Sequence, residues 1–187
     1  TGEYVVFWSS KVARDRYAKQ RVYYCKTRDF HTFSEPQVWI DRAVSTIDTT
    51  VVAGNDGYLY RISKNEGSGT VDGETVTGST CFMERSKSLF GTWEKVKSTS
   101  LKALGGVEGP CSFKLNSDDA EVDTWCLLLD HFGSGGYRAY LTTDLDAEDV
   151  VFSSVAANLP SKPRHGTVMP ITAKEYSALT MKYRSEE

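Results

Sequence analysis

Val107-Glu108-Gly109-Pro110-Cys111 sets an acid, a glycine and a proline inside an otherwise apolar run. The arrangement has a counterpart upstream, Ile47-Asp48-Thr49-Thr50-Val51, and another downstream, Arg164-His165-Gly166-Thr167-Val168. Asp48 to Glu108 is 60 residues and Glu108 to His165 is 57. A second element repeats with them: Tyr4-Val5-Val6-Phe7-Trp8, Tyr58-Leu59-Tyr60-Arg61-Ile62 and Trp125-Cys126-Leu127-Leu128-Leu129. A third is turn-like: Thr27-Arg28-Asp29-Phe30, Ser86-Lys87-Ser88-Leu89 and Thr143-Asp144-Leu145. A period near 57–60 residues, carrying about four strands, is the signature of a β-propeller blade.

The rest of the chain reads as strands as well. Tyr4–Ser9, Arg21–Thr27, Val51–Val52, Tyr58–Ile62, Cys81–Arg85, Thr124–Leu129, Tyr137–Thr142 and Val150–Val155 are rich in β-branched and aromatic residues, which fit a pleated surface. Asn55-Asp56-Gly57, Phe90-Gly91-Thr92 and Gly133-Ser134-Gly135-Gly136 are turn signals. Asn65–Thr80 reads as a long polar surface loop and Asn116–Asp123 as an acidic hairpin loop. Only Ala173–Tyr183 reads as helix, starting after a cap-like Thr172. The class is all-β.

Composition bounds the function. The chain has 187 residues, 40% of them apolar, with a net charge of −3. No apolar run approaches the roughly 18 residues of a membrane helix. A slightly acidic chain lacks the clustered Lys/Arg that a phosphate backbone calls for. Both observations argue against membrane and nucleic-acid partners. Cys25, Cys81, Cys111 and Cys126 form no CxxC pair, which argues against a structural zinc site. They read either as disulfide partners in a secreted protein or as buried thiols on strands.

The first strands of propeller blades converge at one end of the axis, so the repeat predicts that Asp48, Glu108 and His165 meet. Charged residues in a buried strand are costly unless they are paired or functional. The alternative is that Asp48 and Glu108 cap strand ends or bind loop amides. Two converging carboxylates suit glycoside hydrolysis, in which one acid protonates the leaving oxygen. Like charges in a sparsely solvated pocket raise one of the two pKa values. The 10 Tyr, 8 Phe and 4 Trp supply faces on which sugar rings can stack.

At these residues the sequence resembles glycoside hydrolase family 43. Ser45-Thr46-Ile47-Asp48, Asp56-Gly57-Tyr58-Leu59-Tyr60-Arg61, Glu108-Gly109-Pro110, Leu129-Asp130-His131-Phe132-Gly133 and Arg164-His165-Gly166-Thr167-Val168 carry the likeness. The resemblance implies a five-bladed propeller that cleaves arabinofuranosides or xylosides with inversion, and a secreted enzyme acting on plant cell-wall arabinan or arabinoxylan. It implies Glu108 as the general acid, and Asp48 as the carboxylate that raises its pKa. Arg164, Trp8 and Phe132 would contact the sugar. His165 would sit on the axis, where a calcium ion or water cluster can bind; no cofactor is otherwise required.

The chain departs from that pattern in one respect. In a five-bladed count Asp48 falls in blade three, Glu108 in blade four and His165 in the start of blade five. Tyr4–Asp41 then supplies only outer strands of blade two, which leaves about three blades. The catalytic base, two periods before Asp48, falls upstream of residue 1. Asp15, Asp29 and Asp41 sit at the wrong repeat phase to replace it. Residues 1–187 are therefore expected to form one partial propeller that needs an N-terminal segment or self-association to close. The other reading is a non-catalytic module that binds carbohydrate.

Overall fold

The computed structural model describes residues 2–133, 135–159 and 163–183. Three antiparallel meanders follow one another along the chain. The first is β1 (Tyr4–Ser10), β2 (Arg21–Thr27) and β3 (Gln37–Ile40), in the order β1-β2-β3. The second joins β4 (Thr46–Ala53), β5 (Leu59–Asn65), β8 (Thr80–Ser86) and β9 (Glu94–Val96) in that order; a small hairpin, β6 (Gly69–Val71) and β7 (Glu74–Val76), lies between β5 and β8 in the chain. The third is β10 (Glu108–Lys114), β11 (Trp125–His131), β12 (Gly136–Thr142) and β13 (Ser153–Val155). Two α-helices, α1 (Thr99–Ala103) and α2 (Ala173–Tyr183), and a single 3-10 turn at Ala13–Asp15 complete the described residues. No described helix is long and apolar enough to cross a membrane.

The all-β expectation holds, and α2 has the bounds the sequence predicts. Thr172 and Glu175 form a reciprocal capping box at its start: the Glu175 amide donates to Thr172 Oγ1 at 3.2 Å, and the Thr172 amide donates to Glu175 Oε2 at 2.7 Å. Two expectations are corrected. The polar stretch Asn65–Thr80 is not all loop, because Asp72 and Gly73 both take positive φ (50° and 80°) and close the β6–β7 hairpin, which buries Val71. A second helix, α1, exists: Ser98 caps it by accepting from the Leu101 amide at 3.3 Å, and Leu101 is its one buried residue. Five residues are too few to show a helical period.

The main core lies between the second and third sheets. Tyr60, Ile62 and Met83 pack with Leu127, Leu129, Tyr140 and Val150, each of the seven buried. Trp125 closes it from the third sheet by donating its Nε1–H to Ala53 O at 2.9 Å. The first sheet joins through aromatic contacts at its outer strand: Trp39 Nε1 donates to Leu89 O at 3.0 Å, and the buried Arg61 guanidinium lies 5.1 Å from the Trp39 ring and 4.2 Å from Trp93. Arg61 carries its counter-ion in Glu84, which accepts from Nε at 2.9 Å and from Nη2 at 2.6 Å. All four cysteines are buried free thiols. Burial pushes the Cys81 thiol up to about 12 and, with Cys111 beside it, Cys126 to about 11.

Candidate active site

The first strands of the second and third sheets lie side by side and carry the acids. β4 is irregular between Ile47 and Thr50, where Asp48 adopts φ 49°. β10 is irregular between Glu108 and Cys111, where Gly109 adopts φ 55°. His165 repeats the theme with φ 35°. Bulges of this kind turn a side chain out of the pleat and are typical beside functional sites. An aspartate tolerates the left-handed region better than most side chains, and a glycine tolerates it best. Gly109 is required twice over, since a Cβ there would stand 3.0 Å from the His165 ring.

The repeat prediction is met in space. Asp48, Glu108 and His165 each place one donor atom so that the three lie within 4.8 Å of one another. Asp48 Oδ2 accepts from the Gly109 amide at 3.1 Å, so it also does what the cap reading assigned to it and ties β4 to β10. A second tie runs parallel to it, from the Ser112 amide to Thr50 Oγ1 at 3.1 Å. Glu108 is the hub. Oε2 accepts from Lys64 at 3.0 Å; Oε1 accepts from Arg164 Nη2 at 2.9 Å and lies 3.3 Å from His165 Nε2.

These contacts reverse one expectation. Burial pushes the Glu108 carboxyl upward, but Lys64 and His165 outweigh it and hold the group below the ordinary glutamate range. The sequence reading counted the carboxylates and missed the cation from β5. The three donors have the spacing a cation would need, yet both Glu108 oxygens are already engaged by positive side chains. A calcium ion asks for six to eight oxygen ligands, so this donor set fits an ion-pair hub and not a hard-cation cage.

The other expected residues surround the hub. Trp8 lines a groove with Phe7, Ser9, Val22, Asp48 and Thr49, and stacks on Tyr23 at 6.2 Å between centroids. Phe132 follows β11, with its ring 5.4 Å from Lys64 Nζ. Arg164 is more than half exposed and spans two carboxylates, Glu108 and Asp130. Asp15 and Asp41 bind Arg21, and Asp29 accepts from the His31 and Thr32 amides at 2.9 and 2.8 Å, so each is held in local contacts.

Sequence reasoning did not single out Lys64, Asp130 or Tyr137 for the site. Lys64 and Asp130 each stand one residue before the end of an almost wholly buried strand; the apolar run Trp125–Leu129 before Asp130 was the available signal, and Ser63-Lys64-Asn65 offered none. The Tyr137 hydroxyl donates to Gly109 O at 2.9 Å and accepts from the Gly166 amide at 2.6 Å, which pins the segment of Arg164 and His165 onto β10.

A family-43-related glycosyl hydrolase model, described as "Probable glycosyl hydrolase domain", matches residues 1–177. An alpha-L-arabinofuranosidase of Bifidobacterium longum is 37% identical over 172 aligned residues, covering 75% of this chain. The chain spans 15% of that relative's length. With the matched model running through all three sheets and the acid hub, the chain belongs to the family-43-related glycosyl hydrolases.

Proposed function

We propose that this chain carries the acid side of an inverting glycosidase that removes arabinofuranosyl units from plant cell-wall polysaccharide such as arabinan or arabinoxylan, outside the cell. The observation that supports it best is Glu108, an acid on a bulged first strand with Asp48 and His165 around it, beside a groove walled by Trp8. The similar arabinofuranosidase favours an arabinosyl substrate over a xylosyl one. In this reading the sugar stacks on Trp8 or Phe132, and its hydroxyls take up Arg164. Withdrawal of Arg164 removes one positive neighbour from Glu108 and lets it hold the proton it delivers to the leaving oxygen. Asp48 keeps β10 in place through the Gly109 amide. The base comes from a further strand seated beside β1, about 6.5–9.5 Å from the acid as inversion requires.

That strand is also the proposed partner that completes a five-bladed propeller, of which the three sheets are successive blades. A non-catalytic, sugar-binding module is the second reading. Its supporting observation is the cationic grip of Lys64 and Arg164 on Glu108, which suits binding of hydroxyls without proton delivery. Hydrolysis of aryl α-L-arabinofuranosides and aryl β-xylosides by the full-length gene product decides between them. Turnover of the arabinoside, abolished in Glu108→Ala, is expected. Binding of arabino-oligosaccharides without any turnover would leave the module.

A further inference from the structure

Asp130 is fully buried, and its Oδ1 has no hydrogen-bond partner among the described residues. It stands directly opposite Glu108 in the β10–β11 register, where the strand around it is apolar. Its Oδ2 accepts from Arg164 Nε and lies 3.7 Å from His165 Nε2. A buried acid with one unsatisfied oxygen is destabilising, and an apolar residue would serve the core better. Its guanidinium partner is more than half exposed, so the core gains little from the pair. What the pair does accomplish is geometric. The planar guanidinium presents one edge to Asp130 through Nε and its far nitrogen to Glu108 at 2.9 Å. A lysine could not span the two in that way.

We infer that Asp130 is a positioning residue that acts through Arg164: it fixes the guanidinium plane so that Nη2 stands at Glu108, where a sugar hydroxyl would be received. The inference rests on the proposed sugar site, and it adds a residue that touches neither sugar nor leaving group.

The test has two arms. The first needs no ligand: the Arg164 Hε resonance in 1H–15N spectra is expected as a separate, slowly exchanging peak. In Asp130→Asn it should collapse into the solvent-averaged arginine group while the amide spectrum stays dispersed. An averaged Hε in the unsubstituted chain, or one that Asp130→Asn leaves unmoved, overturns the inference. The second arm is a double-mutant cycle in arabinotriose affinity with Asp130→Asn, Arg164→Ala and the pair. Each single change is expected to weaken binding about tenfold, as loss of a charge-assisted hydrogen bond does, and the double variant no further. Additive losses would show that Asp130 acts independently of Arg164 and would overturn it. Should Asp130→Asn fail to fold, Arg164→Lys takes its place: it keeps the charge but cannot bridge, and wild-type affinity in that variant overturns the inference. Should no form bind arabinotriose, the sugar-site reading falls, and the resonance still decides whether Asp130 orients Arg164.

Discussion

β1 and β5 are similar strands in different surroundings. Both are seven residues long, both carry aromatic and β-branched residues, and both occupy the same phase of the repeat. Yet β5 is buried at all but its first residue, whereas β1 has no buried residue at all. β11, at the same phase in the third sheet, is buried like β5. The difference lies in the neighbours. β5 runs between β4 and β8, and β11 between β10 and β12, whereas among the described residues β1 pairs with β2 alone. A strand of such composition with one open edge is a pairing site, and the groove beside it, from Phe7, Trp8 and Ser9 to Asp48 and Thr49, runs to the candidate active site. The strand proposed to complete the propeller would bury this edge and bring the proposed base to the same place.

Truncations measure the contrast most strongly. Leu129→Ala in β11 removes a fully buried side chain and should cost about 2–5 kcal/mol in urea denaturation. Val5→Ala in β1 should cost below about 1 kcal/mol, because its side chain is already part-exposed. Equal costs would mean that β1 is covered in solution by something already bound. Gly109→Ala comes next, at about 1–3 kcal/mol for a strained left-handed residue; it should also displace His165 and weaken arabino-oligosaccharide binding, measured by calorimetry. A stable variant with unaltered affinity would remove His165 from the site.

Hydrogen exchange separates the same two strands without substitution. Alternate amides of β1, those pointing away from β2, should exchange at least about tenfold faster than any amide of β5, which is bonded on both edges. Uniform protection along β1 would contradict an open edge. The smallest effect is electrostatic. The folded Glu108 carboxyl lies below its ordinary value, so its pairing with Lys64 and His165 contributes stability above the unfolded glutamate pKa of about 4.3. That contribution is lost as pH falls through the lower folded value. A 13C titration of the Glu108 carboxyl with a midpoint above 4.3 would reverse the sign.

The sequence made the repeat legible because a polar, ionisable residue recurs at a spacing of 57–60 residues, each time followed by small or turn-forming residues, and that spacing predicted that Asp48, Glu108 and His165 meet. It could not reveal Lys64 beneath Glu108. The lysine comes from the neighbouring strand of the second sheet, and only the three-dimensional stacking of β5 beside β10 brings the two together. Carboxylate counting alone therefore predicted a raised pKa where cations lower it. Short elements escaped for a related reason: β3, β9, the β6–β7 hairpin and α1 are three to five residues each, and their form is set by caps, turns and neighbours more than by period.

Leaving-group dependence in the full-length gene product tests the central claim, that Glu108 is a general acid, most directly. Glu108→Ala should slow cleavage of arabinosides with poor leaving groups by about 10²–10⁴-fold, the usual worth of a general acid. Arabinosides bearing a dinitrophenyl group, which departs without a proton, should be cleaved at nearly the unsubstituted rate. An equal loss on both substrates, or no loss on either, would contradict the assignment.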